Sequence, residues 1–444
     1  MAAANAAIRY KKLTEKPEGE ESDTGSLSSH GSVEEEKSSL LASQSASINR
    51  SSSLPKIQYK QYSEITEIPS KTRRDHFDIT QRIEMGQMAS MFFSRAGVHL
   101  FYACIVIYLY GDLAIYAAAV PTSLRDVVCY SNQGNSNTNL SENHPCWNSK
   151  NLTRIDVYRI FLGVFTVTLV PFVFFNVQKT KYLQIFTSLM RWLAFSVMII
   201  LALIHVSKGK GAGQPKAFIF SGIPNLFGVC IYSFMCQHSL PSLVTPIKNK
   251  SRLSTLFFGD FTVILMFYLV LSFTAVFCFD NSQLKDLYTL NFSDSAVCSV
   301  VAIQYFLALF PVFTLSTNFP IIAITLRNNL KTMFHREGKK CPWMVDQIIY
   351  PMITVLPPIG VAFYTHDLEF LVGITGSYAG VGIQYLTPAC LVYYARKHID
   401  RCYGKRLENK HASLFKHKIW VFFILIWAVA CVIFVTVNHI VSRK

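Results

Sequence analysis

The stretch Phe218-Ile-Phe-Ser-Gly-Ile-Pro-Asn-Leu-Phe-Gly-Val-Cys-Ile-Tyr-Ser-Phe-Met-Cys-Gln-His-Ser-Leu-Pro241 is apolar enough to cross a bilayer, but it carries a polar interruption near its end. Gln237, His238 and Ser239 put polar groups at membrane depth, and Pro241 removes a helical N–H. Freed backbone groups at that depth need a polar partner, so interrupted helices line cavities in membrane proteins. We expect a broken membrane helix with a binding site at the break. The alternative is a proline kink whose polar side chains face a neighbouring helix.

A half-helix that begins at this break would carry its own attraction for anions. Its first N–H groups lack partners within the helix, and the helix dipole adds a partial positive charge at that end. Both features favour an anion such as the carboxylate of a bound small molecule. We therefore expect the N-terminus of the second half to contribute to the site.

Nine apolar stretches, the quoted one included, follow one another along the chain. Each can form a helix of about 20 residues, the length that covers the hydrocarbon core of a bilayer. Backbone polar groups in lipid must be satisfied within their own segment, which favours helices. The sequence therefore predicts an all-α integral membrane protein with nine transmembrane helices in a polytopic domain over 95–441, and a short lumenal or extracellular end at 442–444. The stretches are 96–120, 155–175, 183–206, 218–243, 256–279, 297–326, 344–364, 368–394 and 416–441.

The basic residues indicate how the chain is oriented. The formal net charge is +15, and Lys and Arg gather in the loops after the fourth, sixth and eighth stretches. These loops fall on one side of the membrane, which the positive-inside rule makes cytosolic together with the tail 1–94. The loop that holds Lys208, Lys210 and Lys216 fits poorly, since it would face outward. Because the basic loops report topology, they do not indicate nucleic acid as a partner.

Glycosylation sequons lie on the opposite side, at Asn139-Leu-Ser, Asn151-Leu-Thr and Asn291-Phe-Ser. Glycosylation takes place on the lumenal side, so the sequons agree with this orientation. Cys129 and Cys146 share the first outer loop and are plausible disulfide partners in an oxidising compartment. The cysteines form no CxxC pair that would indicate a metal site.

The tail 1–94 differs in composition from the rest of the chain. Residues 1–75 are rich in Ser, Glu and Lys and lack helical or strand periodicity, which predicts a largely disordered segment. Residues 78–95 have the pattern of an amphipathic helix that leads into the first span along the inner membrane face. Glu36, Leu40 and Leu41 form an acidic dileucine pattern of the kind that sorting adaptors bind. Lysosomes, endosomes and the plasma membrane are therefore the candidate locations.

The sixth stretch also holds polar groups between two prolines. Thr314, Ser316, Thr317 and Asn318 place hydroxyl and amide oxygens at membrane depth. Such oxygens could coordinate Na⁺. The alternative is that each hydroxyl bonds to a backbone carbonyl one turn earlier in its own helix.

Glycines in the eighth stretch follow helical spacing. Gly373, Gly376 and Gly380 are three and four residues apart, which gives one smooth helix face. We expect this face to pack closely against another helix, ahead of any contact with a ligand.

Asp112 and Arg191 are the ionisable residues that would cost most if left unpaired in lipid. They can pair with each other, carry protons or find polar neighbours. Arg191 can also extend its side chain to the inner interface. The sequence leaves these alternatives open.

Together these motifs resemble the amino acid/auxin permease superfamily. The fourth stretch, through Ile223-Pro-Asn-Leu-Phe and Cys236-Gln-His-Ser-Leu-Pro241, resembles its helix six. The sixth stretch, ending Asn318-Phe-Pro, resembles helix eight, and the glycine-rich eighth stretch resembles helix ten. One branch matches best, over about 78–441, through Glu84-Met-Gly-Gln-Met-Ala-Ser-Met-Phe-Phe93 and Tyr108-Leu-Tyr-Gly-Asp-Leu-Ala-Ile-Tyr-Ala-Ala-Ala-Val-Pro121.

The resemblance implies eleven helices in a five-plus-five inverted repeat, with substrate between unwound parts of helices one and six and Na⁺ between helices one and eight. Carried over to this sequence, the cation-binding hydroxyls are Ser316 and Thr317, and the substrate-binding residues are Ser233, Phe234, Met235, Cys236, Gln237 and His238. The chain has no counterpart of helices one and two. We therefore expect an N-terminally truncated transporter fold with half of each site absent.

The resemblance thus implies a secondary active transporter of amino acids or related small zwitterions, coupled to Na⁺ or H⁺ by alternating access and impaired in this shortened form. The alternative is a sensor or scaffold that keeps the transporter fold and signals through its cytosolic tail. An enzyme is disfavoured, because the 12 histidines form no metal-binding box and neither a P-loop nor a nucleophile elbow is present. No cofactor is expected.

Overall fold

The computed structural model is almost entirely helical, and the residues that it describes form no β-strand. These residues are 1–14, 77–129, 145–146, 152–174, 181–216, 218–280, 284–285, 287–293, 297–334, 342–403, 409, 411 and 415–442. Their helices are α1 (Ala2–Thr14), α2 (Met85–Phe92), α3 (Arg95–Val128), α4 (Arg154–Phe174), α5 (Lys181–Ser207), α6 (Ile223–Ser233), α7 (Leu240–Val244), α8 (Leu253–Cys278), α9 (Val301–Phe334), α10 (Tyr350–Tyr364), α11 (Leu368–Ile374), α12 (Thr387–Tyr403) and α13 (Lys418–Ser442). Short π-helical segments, Val345–Ile349, Thr375–Gly380 and Gly382–Leu386, adjoin α10, α11 and α12.

Within the described residues, seven helical segments are long and apolar enough to cross a membrane: Arg95–Val128, Arg154–Phe174, Tyr182–Ser207, Lys250–Cys278, Val301–Phe334, Val345–Tyr364 and Lys418–Asn438. Each coincides with one predicted stretch, and the prediction of an all-α membrane protein is confirmed. The two remaining stretches, 218–243 and 368–394, are helical but interrupted. The count of nine therefore stays a prediction.

Helix α3 lies at the centre of the fold, where it packs against α4, α9 and α10. It is rich in small residues, and Leu113, Ala117 and Ala118 are fully buried. Small side chains let helix backbones approach closely, which is how membrane helices gain packing energy without a hydrophobic driving force between them. At Gly111 a Cβ would lie 2.3 Å from Oγ1 of Thr375, so this contact requires glycine.

Tyrosine and arginine side chains donate hydrogen bonds to backbone carbonyls that have no partner within their own helix. Pro357 has no N–H for the carbonyl of Ile353, and the hydroxyl of Tyr110 donates to that carbonyl at 2.8 Å. At the C-terminal end of α4, Arg327 donates to the carbonyl of Val173 at 3.0 Å. An unpaired carbonyl in lipid costs several kcal/mol by the usual estimate of about 2–7, so both bonds hold neighbouring helices together.

The start of the chain is helical and docked, so the prediction that residues 1–75 lack regular structure is wrong for Ala2–Thr14. Ala2, Ala6 and Ala7 are buried together with Val244 and Ile399. Alanine has the highest helix propensity, and its short side chain lets α1 lie close to α12. A face built from alanine has little amphipathic contrast, which is why the sequence pattern did not reveal it.

Residues 78–84 are not helical, so the predicted lead-in helix over 78–95 begins too early. Asn5 of α1 accepts from the backbone N–H of Gln81 at 3.0 Å, and Arg9 donates to the carbonyl of Asp78 at 3.0 Å. Helix α2 starts only after Glu84, where the side chains of Glu84 and Gln87 form a capping box.

The C-terminal end of α3 is joined to the start of α4 by covalent and ionic links. The structure places Cys129 and Cys146 in a disulfide, with their Cα atoms 4.7 Å apart. Asp126, at the end of α3, accepts from Arg154 at 2.5 Å, and Arg125 lies 2.9 Å away. The two arginines thus neutralise the negative charge of a largely buried carboxylate, which would be costly without a partner.

The sequon at Asn291 is placed where a glycan does not fit. The residue is only 7% exposed, its Nδ2 donates to the carbonyl of Tyr288 at 3.1 Å, and its Oδ1 accepts from the N–H of Lys285 at 3.1 Å. A glycan would be attached to a buried amide whose nitrogen and oxygen both form hydrogen bonds, so the structure argues against the predicted glycosylation of Asn291. Asn139 and Asn151 lie outside the described residues, as do Glu36, Leu40 and Leu41 of the tail.

Candidate site at the broken helix

The helix that the fourth stretch forms is interrupted, as predicted. Helix α6 ends at Ser233, α7 begins at Leu240, and the six residues between them are not helical. Gln237 turns back on its own backbone, since its Oε1 accepts from the N–H of Cys236 at 3.0 Å. The break therefore exists as a folded loop between two helix ends.

Several of the predicted substrate-binding residues are already engaged. The hydroxyl of Ser233 donates to the carbonyl of Val229 at 2.8 Å, which is the common i−4 bond within a helix. The ring of Phe234 packs against Phe261 and Tyr268, with ring centroids 6.2 Å and 5.5 Å apart. In this conformation these two side chains support the loop rather than face an open site.

His238 differs from its neighbours at the break. Its Nδ1 is buried and has no hydrogen-bond partner among the described residues. Its ring lies against Tyr108 of α3, with centroids 5.9 Å apart. A buried ring nitrogen without a partner is costly, so it is a polar group that a bound molecule could satisfy.

The expected anion site at the N-terminus of the second half-helix is wrong. Helix α7 contains only five residues. The N–H groups at its start are used locally, since Ser239 and Leu240 donate to the carbonyl of Cys236 at 3.0 Å and 3.1 Å, and Ser242 donates to that of Ser239 at 3.1 Å. So short a helix carries little dipole, and its first N–H groups are occupied.

A buried polar cluster lies beside the break. Tyr232, one residue before the end of α6, donates its hydroxyl to the carboxylate of Asp112 on α3. The ring of Tyr108 lies between this pair and the break, with centroids 6.5 Å from Tyr232 and 5.9 Å from His238. We name Tyr108, Asp112, Tyr232 and His238 the break cluster.

Sequence reasoning identified Asp112 and His238 but missed both tyrosines of the break cluster. Tyr108 and Tyr116 stand four residues before and after Asp112, so the helical period places all three on one face of α3. That spacing is a signal that could have been used. The partner on α6 could not have been found in this way, because 120 residues separate it from Asp112.

Of the alternatives for Asp112, the structure records a polar neighbour, Tyr232. Among the described residues it forms no ion pair with Arg191. Arg191 is exposed on α5, where extension of its side chain to the interface remains open to it.

The predicted packing role of the glycine face is confirmed. A Cβ on Gly376 would lie 2.0 Å from the carbonyl oxygen of Gly228 on α6, and a Cβ on Gly373 would lie 2.6 Å from Oδ1 of Asn225. A Cβ on Gly380 would lie 2.7 Å from Cε of Met235, one of the predicted substrate-binding residues. The face therefore holds α6 in place immediately before the break.

Of the two predicted cation-binding hydroxyls, that of Thr317 follows the alternative that the sequence left open. Thr317 donates to the carbonyl of Thr314 at 2.9 Å, and Thr314 donates to that of Phe310 at 2.9 Å. Ser316 is half-buried on the same helix, α9. A hydroxyl that donates along its helix still has a lone pair to offer, but the structure does not bring these oxygens together with the break cluster in any recorded contact.

With this arrangement established, the comparison with known proteins decides the family. A family described as transmembrane amino acid transporter protein matches residues 72–438. The chain belongs to this family. Membership and the apolar helices together make it a multi-pass membrane protein of a transporter family. The superfamily that the sequence motifs indicated is thereby confirmed.

Relatives across animals carry the name transmembrane protein 104. The protein from Homo sapiens is 53% identical over 448 residues, which cover 100% of this chain and 86% of the relative. The protein from Gallus gallus is 59% identical over 372 residues, or 83% of this chain and 74% of the relative. A homolog from Drosophila melanogaster is 44% identical over 381 residues, or 82% and 74%. This branch is the one that the two sequence blocks around Glu84 and Asp112 indicated.

Proposed function

We propose that the protein is a secondary active transporter of amino acids or related small zwitterions, driven by Na⁺ or H⁺ through alternating access. The observation that carries the proposal is the break between α6 and α7, which lies against a buried carboxylate and an unsatisfied imidazole nitrogen. A zwitterion offers both an acceptor and a donor, and it could satisfy such groups in a site closed to water.

The proposed substrate site consists of the loop from Ser233 to His238. Its helix α6 is fixed by the glycine face, whereas α7 beyond the loop shares a buried cluster with α1 through Val244. Two half-helices that pack against different parts of the fold and meet at one loop can change their relative position, as alternating access requires. Ser316 and Thr317 are proposed to take part in cation binding, Thr317 only after its bond along α9 rearranges, since its hydroxyl now donates to the carbonyl of Thr314.

The proposed orientation places the tail in the cytosol. Glycans are proposed at Asn139 and Asn151, and sorting adaptors are proposed to bind the dileucine segment at Glu36, Leu40 and Leu41. The location is then lysosomal, endosomal or plasma membrane, depending on that motif. No catalytic residue or cofactor forms part of the proposal.

The proposal is tested by reconstituting the full chain in proteoliposomes and measuring uptake of a mixture of labelled amino acids under an imposed Na⁺ or H⁺ gradient. His238→Gln should lower uptake about 10- to 100-fold, the effect of one lost hydrogen bond to a charged group worth about 1.5–3 kcal/mol. His99→Gln is the matched control, because His99 is exposed on α3 and should transport as the wild type does. The proposal would be refuted if the protein neither bound nor moved any amino acid under either gradient.

A second candidate is a sensor or scaffold with a transporter fold. The docking of α1 favours it, since Ala2 and Ala6 share a buried cluster with Val244 at the end of α7. A change at the break could therefore reach the start of the tail. Amino-acid-dependent binding of a cytosolic protein to residues 1–75, without any flux, would support this candidate over transport.

A further inference from the structure

Asp112 is a buried carboxylate midway along α3, a helix that is long and apolar enough to cross the membrane. The residue is only 6% exposed, and its recorded partner is the hydroxyl of Tyr232 on α6. Ionisable residues in membrane helices are costly, and they are retained where a charge must be bound or moved. The burial of Asp112 therefore calls for a function.

The groups that face Asp112 are mostly neutral. Tyr108 and Tyr116 of α3 and Tyr232 of α6 lie close enough to interact with it electrostatically. The nearest basic groups interact with the tyrosines around Asp112 rather than with Asp112 itself. His238 lies against Tyr108, and Arg191 of α5 interacts with Tyr116. Among the described residues, no Lys, Arg or His nitrogen comes within 4.0 Å of the Asp112 carboxylate.

A proton suits this environment better than a metal cation does. Hard cations such as Na⁺ take several oxygen ligands around one centre, and the recorded neighbour of Asp112 is a hydroxyl that points its hydrogen at the carboxylate. A proton needs no coordination shell and removes the charge that burial disfavours. The chemistry of the site therefore selects H⁺ between the two coupling ions considered above.

We propose that Asp112 is the proton-binding residue that couples a proton gradient to movement at the broken helix. The inference rests on the proposed transport function and names its coupling ion. A proton from one aqueous side forms an O–H bond with a carboxylate oxygen, which changes the charge of the side chain from −1 to 0. The same proton leaves to the other side when the site reopens there, and Tyr232 keeps its own proton throughout.

The link to the break is the bond between Asp112 and Tyr232. A hydrogen bond to an ionised acceptor is roughly twice as strong as one between neutral groups. Ionised Asp112 therefore holds the C-terminal end of α6 against α3, and protonation loosens that hold. Because only Ser233 separates Tyr232 from the loop, the loosened end is also the end at which the helix is already broken.

The first test compares the thermal unfolding of the wild type and Asp112→Asn in detergent between about pH 5 and about pH 8. An amide has the shape of the protonated acid and cannot ionise. The two proteins should therefore unfold at similar temperatures at the acid end. At the alkaline end the wild type should unfold at a lower temperature than the variant, because burying the charge costs more than the stronger bond to Tyr232 returns. Asp260→Asn, at an exposed aspartate on α8, is the matched control and should follow the wild type. A difference between wild type and Asp112→Asn that is the same at every pH would overturn the inference.

The second test uses proteoliposomes. Asp112→Asn should lose accumulation driven by an inward proton gradient, which for one coupled proton is at most about ten-fold per pH unit. It should keep exchange of labelled for unlabelled amino acid at equal pH on both sides. Tyr232→Phe should still transport, with the midpoint of its pH profile moved to higher pH. If Asp112→Asn retains gradient-driven accumulation, the role of Asp112 is refuted while the proposed transport function stands. If the wild type neither binds nor moves amino acids, the proposed function is refuted. The unfolding comparison would then still decide whether Asp112 binds a proton.

Discussion

Replacing Gly376 by alanine should separate the glycine face from α6 and destabilise the fold at the side of the break. The added methyl carbon would lie 2.0 Å from the carbonyl oxygen of Gly228 and 2.9 Å from its carbonyl carbon. Both atoms belong to backbone, so no side-chain rotation relieves the contact. The two segments must move apart by about 1.4 Å to restore an ordinary contact of 3.4 Å.

The expected cost is at the upper end of the range for overpacked cores, about 3 kcal/mol. The separation also exposes the neighbouring contacts of Gly373 and Gly380 along the same face. The assay is thermal and denaturant unfolding in detergent, with Gly163→Ala on α4 as the matched control, because no atom lies within 4 Å of the position its Cβ would take. The control should be neutral or slightly stabilising, since alanine has a helix propensity about 1 kcal/mol better than glycine. Equal stabilities of Gly376→Ala and wild type, or an equal loss in Gly163→Ala, would refute the packing argument.

Three further changes test separate parts of the chain. Tyr110→Phe leaves a proline-freed carbonyl of α10 without a donor and should cost about 1–3 kcal/mol in unfolding experiments, unlike Tyr305→Phe at an exposed site. Cys129→Ser should cost about 2–4 kcal/mol in the oxidised protein and nothing under reducing conditions. Changing Leu40 and Leu41 to alanine should move the protein from lysosomes to the cell surface in imaging, and an unchanged distribution would remove the sorting argument.

The membrane class and the site of the break were predictable because both depend on local composition. Long apolar runs fix the spans, and the sequence Gln237-His-Ser before Pro241 puts polar groups where a helix cannot easily continue. The same locality explains the glycine face, since Gly373, Gly376 and Gly380 fall on one side of a helix whatever it packs against.

Other features depend on partners that are distant in the sequence. The bond between Asp112 and Tyr232 joins residues 120 positions apart, so no local pattern reports it. The docking of α1 likewise depends on Tyr403, which lies 397 positions from Ala6 in the sequence. Its hydroxyl donates to the carbonyl of Ala6 at 2.9 Å. The occupied N–H groups of α7 also escaped prediction, because a half-helix of five residues cannot be told from a longer one by composition.

The central claim, that amino acids bind at the break, can be tested on native cysteines. Cys236 lies within the loop and Cys230 on α6 before it, and both are free thiols. Alkylation of each cysteine in the reconstituted wild type can be followed by peptide mass spectrometry with and without saturating amino acid. The account predicts that alkylation of Cys236 slows when amino acid is added while that of Cys230 is unchanged. Equal rates at Cys236 with every amino acid tested, under Na⁺ and H⁺ gradients alike, would contradict it.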